Sequence, residues 1–456
     1  MTSINHHFEP ADFLTENPTI EAIDLLIPDI NGVIRGKRIE RDGLSKAYVN
    51  GINMPASIFS LDITGSTVES CGLGLEIGEP DRTCRPQPNT LTTTPWQRRP
   101  MAQLLMSMYE EDGSPFFGDP RHVLAGILAR FQEMKLTPVV AVELEFYLVD
   151  RERNPQGQPQ PPLSPKNGKR EHHTQVYSID NLDDYADFLR DIARFTAEQN
   201  IPADTAIAEN APGQFEINLQ HQDDPLAACD NAILLKRVIK AAAERHGMEA
   251  SFMAKPYEEE AGNGMHIHVS LLDQQGNNVF ADAEQPYSRT LQHAIGGLLE
   301  LMPASMPLLC PNVNSYRRLQ PGHYVPTAPT WGIDNRTVAV RIPAGPKTAT
   351  RIEHRVAGAD ANPYLVMSAI LAAIHHGISN QCDPGERAEG NAFANRQAGL
   401  PTRMAEALAL LRQDQLLSNY LTPAFVELYL ACKEDELAQF ERHVSPLETQ
   451  WYLSAL

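Results

Sequence analysis

The chain has 456 residues, 58 acidic and 38 basic, for a formal net charge of −20, and 42% of its residues are hydrophobic. This composition excludes wholesale disorder, and a chain of this length can bury roughly three quarters of its unfolded surface without disulfide staples. The acidic balance argues against nucleic acid or an anionic membrane as the main partner. At roughly 150 residues per domain, the length fits two to three domain equivalents, or one large domain with a small companion. Cys71, Cys84, Cys229, Cys310, Cys382 and Cys432 are widely spaced with no C-x-x-C pair, which suits reduced thiols better than a disulfide framework or a zinc site. The first ten residues lack a cationic start followed by an apolar run, so no signal peptide is expected. The apolar stretch 364–374 is shorter than the ~18 residues of a membrane span. The expectation is a soluble, cytoplasmic protein.

In chain order, residues 23–29 and 33–39 are strand-like runs around Asn31-Gly32, a hairpin signal. Residues 78–100 are rich in Pro and Thr, and 102–109 reads as a strand. Val123, Leu124, Ile127, Leu128 and Phe131 recur at helical spacing over 120–135, with Asp119 as N-cap. A domain boundary is expected near residue 115, giving domains 1–115 and 116–456. Then follow a strand at 139–149, an exposed Pro/Gln/Gly loop at 154–165, an amphipathic helix at 182–199 and a strand at 214–219. A long helix is predicted at 225–246, strands at 265–272 and 337–342, a loop at 315–334 between those strands, and helices from 361 onward. No internal repeat is visible. The pattern is α+β, a small β-rich domain followed by a larger one of sheet and helices.

Alternation along the strands places chemistry on single faces. Glu143 and Glu145 share a face, as do Glu216 and Asn218; His266, His268 and Ser270 share another, and so do Arg351, Glu353 and Arg355. Such residues are usually the wet face of a half-buried sheet. Two features point elsewhere. Glu143 and Glu145 interrupt a very apolar strand, and Arg317, Arg318, Arg336, Arg341, Arg351 and Arg355 cluster between positions 317 and 355. Carboxylates with one or two histidines suit Mg²⁺ or Mn²⁺ better than zinc, and arginines beside them suit phosphate and carboxylate ligands. The composite points to metal-assisted phosphoryl transfer. The chain carries no phosphate-binding glycine loop of the P-loop or kinase type.

An ordered series of motifs extends this reading. Glu143-Leu144-Glu145, Pro212-Gly213-Gln214-Phe215-Glu216, Lys255-Pro256, Gly262-Asn263-Gly264-Met265-His266-Ile267-His268, Asn314-Ser315-Tyr316-Arg317-Arg318, Asn335-Arg336, Arg341-Ile342-Pro343 and Arg351-Ile352-Glu353-His354-Arg355 follow one another along the chain. Together they resemble the glutamine synthetase family over nearly the whole length. Residues 78–84, 257–259, 330–332 and 356–364 are most similar to its bacterial γ-glutamylputrescine synthetase branch. The resemblance implies an N-terminal β-grasp domain and a catalytic domain built on a curved antiparallel sheet with helices. It implies one metal site at Glu145, Glu209 and Glu216 and a second at Glu143, His266 and Glu353. His268, Ser270, Arg336, Arg341 and Arg351 match positions that hold ATP, and Gly262, Arg318 and Arg355 match positions that hold glutamate. Asp62 and Asp81 match acidic residues that a neighbouring subunit brings to the amine site, within rings of six subunits commonly stacked in pairs. Asp62 is the candidate base or cation anchor, and Arg341 the residue that neutralises charge on the transferred phosphoryl group.

Three departures from the family pattern bear on the amine. Tyr324 follows Arg318-Leu319-Gln320-Pro321-Gly322-His323, where ammonia-using members carry a glutamate. Gly65 stands where a serine is usual, and no tyrosine lies between Tyr364 and Tyr420 to match one that is nucleotidylated in regulated members. A larger amine than ammonia would suit such a site, and Tyr324 could face its ammonium or simply fill the flap. The implied activity is ATP-dependent joining of the L-glutamate γ-carboxylate to a primary amine of putrescine or another polyamine, via γ-glutamyl phosphate and with two or more Mg²⁺ or Mn²⁺ ions. An ammonia- or monoamine-using relative and a non-catalytic homologue remain the alternatives.

Overall fold

The computed structural model describes residues 9–173, 176–320, 325–394 and 399–456. Tyr324 lies outside the described residues. Among those described, the strands form two sheets. The first runs in the order Ile34–Glu40, Ala22–Pro28, Met101–Tyr109, Asp81–Pro86 and Ile52–Pro55, with Thr92–Thr93 paired onto Met101–Tyr109. The predicted hairpin forms with Ile23 opposite Ile39, and its first strand is buried along its whole length. That strand pairs in parallel with Met101–Tyr109, so the chain must cross over between them. The helix Leu44–Asn50 lies in this crossover and buries Leu44 and Ala47.

The second sheet runs in the order Trp331–Ile333, Val340–Ile342, Ile352–His354, Met265–Leu272, Thr137–Asp150, Gln214–Leu219 and Ala203–Ala208, with Met248–Ser251 also paired onto Thr137–Asp150. Its central strands are antiparallel; Trp331–Ile333 and Val340–Ile342 run parallel. Helices cover the opposite side. Pro225–Arg245 starts where the Asp224 carboxylate accepts from Leu226 and Ala227 N–H, with Pro225 in the first turn. Pro363–Asn380 is buried over residues 363–374: the apolar stretch noted in the sequence is a core helix. Among the described residues no helix is long and apolar enough to cross a membrane. One hydrophobic core runs continuously from the first sheet to the last helices. Polar ties also join the two regions, with Arg237 donating to Asp24 at 2.8 Å and Asn362 to the Asp29 carbonyl at 2.9 Å.

Several sequence expectations need correction. The helix expected at 182–199 is two helices, Ile179–Asp184 and Ala186–Glu198. The break falls at Tyr185, whose buried ring stacks edge-on to Phe215 while Asp184 accepts from Ser164. The strand expected at 337–342 begins only at Val340, because Asn335 Oδ1 accepts from both Thr337 N–H and Thr337 Oγ1 and curls the chain there. Within 315–334 lie part of the short helix Val313–Arg318 and the strand Trp331–Ile333. All six cysteines are free, although Cys71 and Cys432 lie with sulfurs 3.1 Å apart.

Candidate active site

The register of the second sheet builds a row of charged side chains across one face. Glu143 stands opposite Asn218 on one side and His266 on the other; Glu145 stands opposite Glu216, and Glu353 lies between His268 and Arg341. Because strand side chains alternate, these partners all project to the same side. The opposite face of the same strands, with Val142, Leu144, Ile217 and Ile267, is buried core.

Three overlapping metal-competent groups result on this face among the described residues. Single ligand atoms of Glu145, Glu209 and Glu216 lie within 4.8 Å of one another. Glu143 forms comparable groups with Glu216 and His266, and with His268 and Glu353. Burial and the neighbouring carboxylates push Glu209 up to about 7 and Glu216 up to about 9, as expected of converging acids without a cation. Oxygen donors with an imidazole or two fit a hard divalent cation. These acidic clusters can therefore bind divalent metal.

Glu143 behaves differently. Burial opposes its ionisation, but contacts from His266 Nδ1 at 3.1 Å and His268 Nε2 at 2.7 Å hold it well below the usual carboxylate range. Arg351 Nε donates to His268 Nδ1 at 3.2 Å, which leaves the His268 proton on Nε2, aimed at Glu143. Expected beside ATP, His268 thus also orients a carboxylate of the metal-competent group. Burial likewise opposes Glu353, yet the nearby His266, Arg355, His268 and Arg341 keep it ionised below its ordinary value. Arg341 Nη1 donates to Glu353 Oε2 at 2.7 Å and Arg355 Nη1 to Oε1.

Nearby, Arg318 is almost fully buried and Nη1 donates to the Val356 carbonyl at 3.2 Å. Its Nε, like those of Arg341 and Arg355, is buried and has no partner among the described residues. Gly262 backs directly onto Arg318. Ser270 extends the His266–His268 face, and exposed Arg336 lines a cleft of about 550 Å³ with Asp334, Arg387 and Glu389. Arg387 and Asp334 were missed in the sequence; Asp334 accepts from Arg341 Nη2, a contact that no spacing rule reveals.

Asp62 and Asp81 do not join this group within the chain. Asp81 is exposed at the start of its strand. Asp62 is buried, and its carboxylate accepts from Thr64 N–H, Thr64 Oγ1, Ser66 N–H and Gln439 Nε2. Burial opposes its ionisation, but those donors prevail and lower its pKa. A carboxylate so committed is a poor proton acceptor, which weighs against the expected base role. Gly65 lies in the same turn at φ +91° and donates to the Asp62 carbonyl. That backbone strains a serine, so the turn itself calls for the glycine.

The chain matches the glutamine synthetase catalytic domain over residues 117–452. It is 50% identical over 441 residues to γ-glutamylputrescine synthetase PuuA of Escherichia coli, covering 97% of this chain and 93% of that one. It is 32% identical over 453 residues to a glutamate–isopropylamine ligase of a Pseudomonas species, covering 98% and 97%. A solved structure, "Apo GmaS without ligand", superimposes with a TM-score of 0.83 at 29% identity over the full length of both chains. The α+β architecture and the ordered motifs agree with these matches, and the chain belongs to the glutamine synthetase family.

Proposed function

We propose that this protein is an ATP-dependent ligase that joins the γ-carboxylate of L-glutamate to a primary amine of putrescine or another polyamine through γ-glutamyl phosphate. The observation that carries this reading is the 50% identity, along nearly the whole chain, to the E. coli γ-glutamylputrescine synthetase. The row of carboxylates, histidines and arginines on one sheet face supports it independently.

In this reading Glu145, Glu209 and Glu216 hold one Mg²⁺ or Mn²⁺, and Glu143, His266 and Glu353 a second. Bound there, such cations would supply Lewis-acid charge to the terminal phosphate of ATP and to the carboxylate of glutamate. His268, Ser270, Arg336 and Arg351 hold ATP, and Gly262, Arg318 and Arg355 seat L-glutamate. The glutamate γ-carboxylate attacks the terminal phosphorus, giving γ-glutamyl phosphate and ADP, while Arg341 stabilises charge on the moving phosphoryl group. The amine loses a proton as it attacks the acyl carbon, and phosphate leaves. Asp62 serves better as organiser of the 62–66 turn and as a fixed negative charge than as the base, and Asp81 adds exposed negative charge for a distal ammonium. Tyr324 offers an aromatic face to the amine. These two aspartates act across subunits of a stacked double ring of six. The start of the family match at residue 117 supports a boundary near 115 between the β-grasp and catalytic domains.

The test is phosphate release with ATP, Mg²⁺ and L-glutamate, with putrescine, spermidine, spermine, ethanolamine, isopropylamine or ammonium in separate reactions. Turnover with a di- or polyamine and little with ammonium supports the proposal; turnover mainly with ammonium overturns it. The isopropylamine arm addresses a second reading, a monoamine ligase, favoured by the Pseudomonas relative.

A further inference from the structure

On the helical side of the protein, Glu300 of helix Arg289–Leu309, His376 near the end of helix Pro363–Asn380 and Cys382 just beyond it converge. Cys382 Sγ lies 3.2 Å from Glu300 Oε2 and 3.6 Å from His376 Nε2, and that nitrogen lies 3.3 Å from the same carboxylate oxygen. We propose that these three side chains form a further metal site, independent of the sheet cluster, that takes a single Zn²⁺.

The geometry carries the argument. Zinc bonds to thiolate, imidazole and carboxylate of about 2.3, 2.0–2.1 and 2.0–2.2 Å place neighbouring ligand atoms about 3.3–3.6 Å apart at the tetrahedral angle. The N···O and S···N separations of 3.3 and 3.6 Å match that spacing, and the S···O separation of 3.2 Å needs to open by only about 0.4 Å. Sulfur and imidazole also make this donor set soft, whereas the sheet cluster offers no thiolate. His376 is buried, Cys382 half-buried and Glu300 exposed, so the open side admits a water as fourth ligand.

The scaffold holds the three in place. A Cβ on Gly297 would come within 2.2 Å of the Ala373 carbonyl, and one on Gly377 within 2.1 Å of the His293 carbonyl. The two helices therefore cross backbone to backbone beside the cluster, with no side chain between them. Gln381 adopts φ 54°, and Cys382 N–H donates to the Gly377 carbonyl while His293 Nδ1 lies 3.1 Å from the Cys382 carbonyl. The other ring nitrogen of His376 lies 3.0 Å from the Asn380 carboxamide, the kind of outer contact that orients a metal-bound histidine. The sequence hides this site because its ligands come from two helices and show no C-x-x-C spacing.

The test uses the full chain with its sheet cluster saturated by Mg²⁺. Titrated Co²⁺ should give a thiolate-to-cobalt charge-transfer band that saturates at one equivalent per chain and is bleached by Zn²⁺. C382S should abolish the band, and E300Q and H376A should each weaken binding about tenfold or more. C71S, which alters a thiol elsewhere, should leave the band intact. If C382S misfolds by circular dichroism, C382A replaces it. A wild-type chain without the band, or a band that survives removal of the Cys382 thiol, overturns the proposal.

Discussion

Gly262 stands so close to Arg318 that a Cβ on it would lie 2.4 Å from the arginine Cγ, and 2.6 Å from the Ala254 carbonyl behind. Arg318 has no room to retreat: it is 2% exposed and tied by Nη1 to the Val356 carbonyl. Gly262→Ala must therefore displace the guanidinium. The expected cost is about 1–3 kcal/mol of stability, the usual range for overpacking. If Arg318 seats glutamate, the KM for L-glutamate rises about tenfold or more, with a smaller change in kcat. Steady-state kinetics against glutamate check this, and an unchanged KM would detach Arg318 from the substrate.

Glu353 and Glu145 should separate catalytic loss from structural loss. Glu353 is 2% exposed and accepts from both Arg341 and Arg355. Its removal leaves buried Arg355 without a counter-charge and Arg341 with Asp334 alone, and breaking a buried ion pair costs about 3–5 kcal/mol. Glu145 is only half-buried, and its carboxylate accepts from Gly264 N–H. Both Glu353→Ala and Glu145→Ala should lose turnover. Only Glu353→Ala should also lower the melting temperature markedly. Thermal melts alongside phosphate release decide the matter, and full activity in either variant would remove that residue from the metal set.

Much of this site was legible in the sequence, for a physical reason. A strand period of two places Glu143 with Glu145, and His266 with His268, on shared faces whatever the fold. Which strand stands beside which is a long-range fact: that His268 meets Glu353, or Glu145 meets Glu216, follows from sheet order, and only family motifs hinted at it. The helix Arg289–Leu309 went unread because Pro303 and Pro307 lie inside it and Gly296-Gly297 interrupts its apolar pattern. Those glycines serve a helix crossing that no local signal announces. Asp62 was read through a motif alone, and its four hydrogen bonds depend on a turn and on Gln439, 377 positions away.

Lys236 should give stability an alkaline signature. Its Nζ donates to the Ala359 and Ala361 carbonyls at 2.7 and 3.1 Å and lies 5.5 Å from the Phe252 ring. Burial pushes its pKa from 10.5 down to about 7, with partial relief from Asp360. Between those values the folded chain holds fewer protons than the unfolded chain, so this residue makes stability rise with pH. Each pKa unit is worth about 1.4 kcal/mol, which makes the rise a few kcal/mol. Denaturant melts from pH 7 to 10 should show wild type gaining on Lys236→Met across that window. Parallel curves would mean that Lys236 keeps its proton in the fold.

Glu216 links metal binding to stability most directly. It is 6% exposed, stands opposite Glu145 across the strands and shares a ligand cluster with Glu145 and Glu209. Without a cation these carboxylates repel one another where water screens them poorly, so the metal-free site is a local cost to the fold. Glu216→Gln removes one acid while preserving shape. In a chelator, the variant should melt at or above the wild-type temperature. Added Mg²⁺ should raise the wild-type melting temperature, because a ligand that binds only the folded state stabilises it by mass action. The variant should show a smaller rise and turn over about a hundredfold or more slowly. Chelation should silence the wild type and Mg²⁺ should restore it. A variant that melts well below wild type in chelator would mean that Glu216 is held by protein donors rather than kept for a cation.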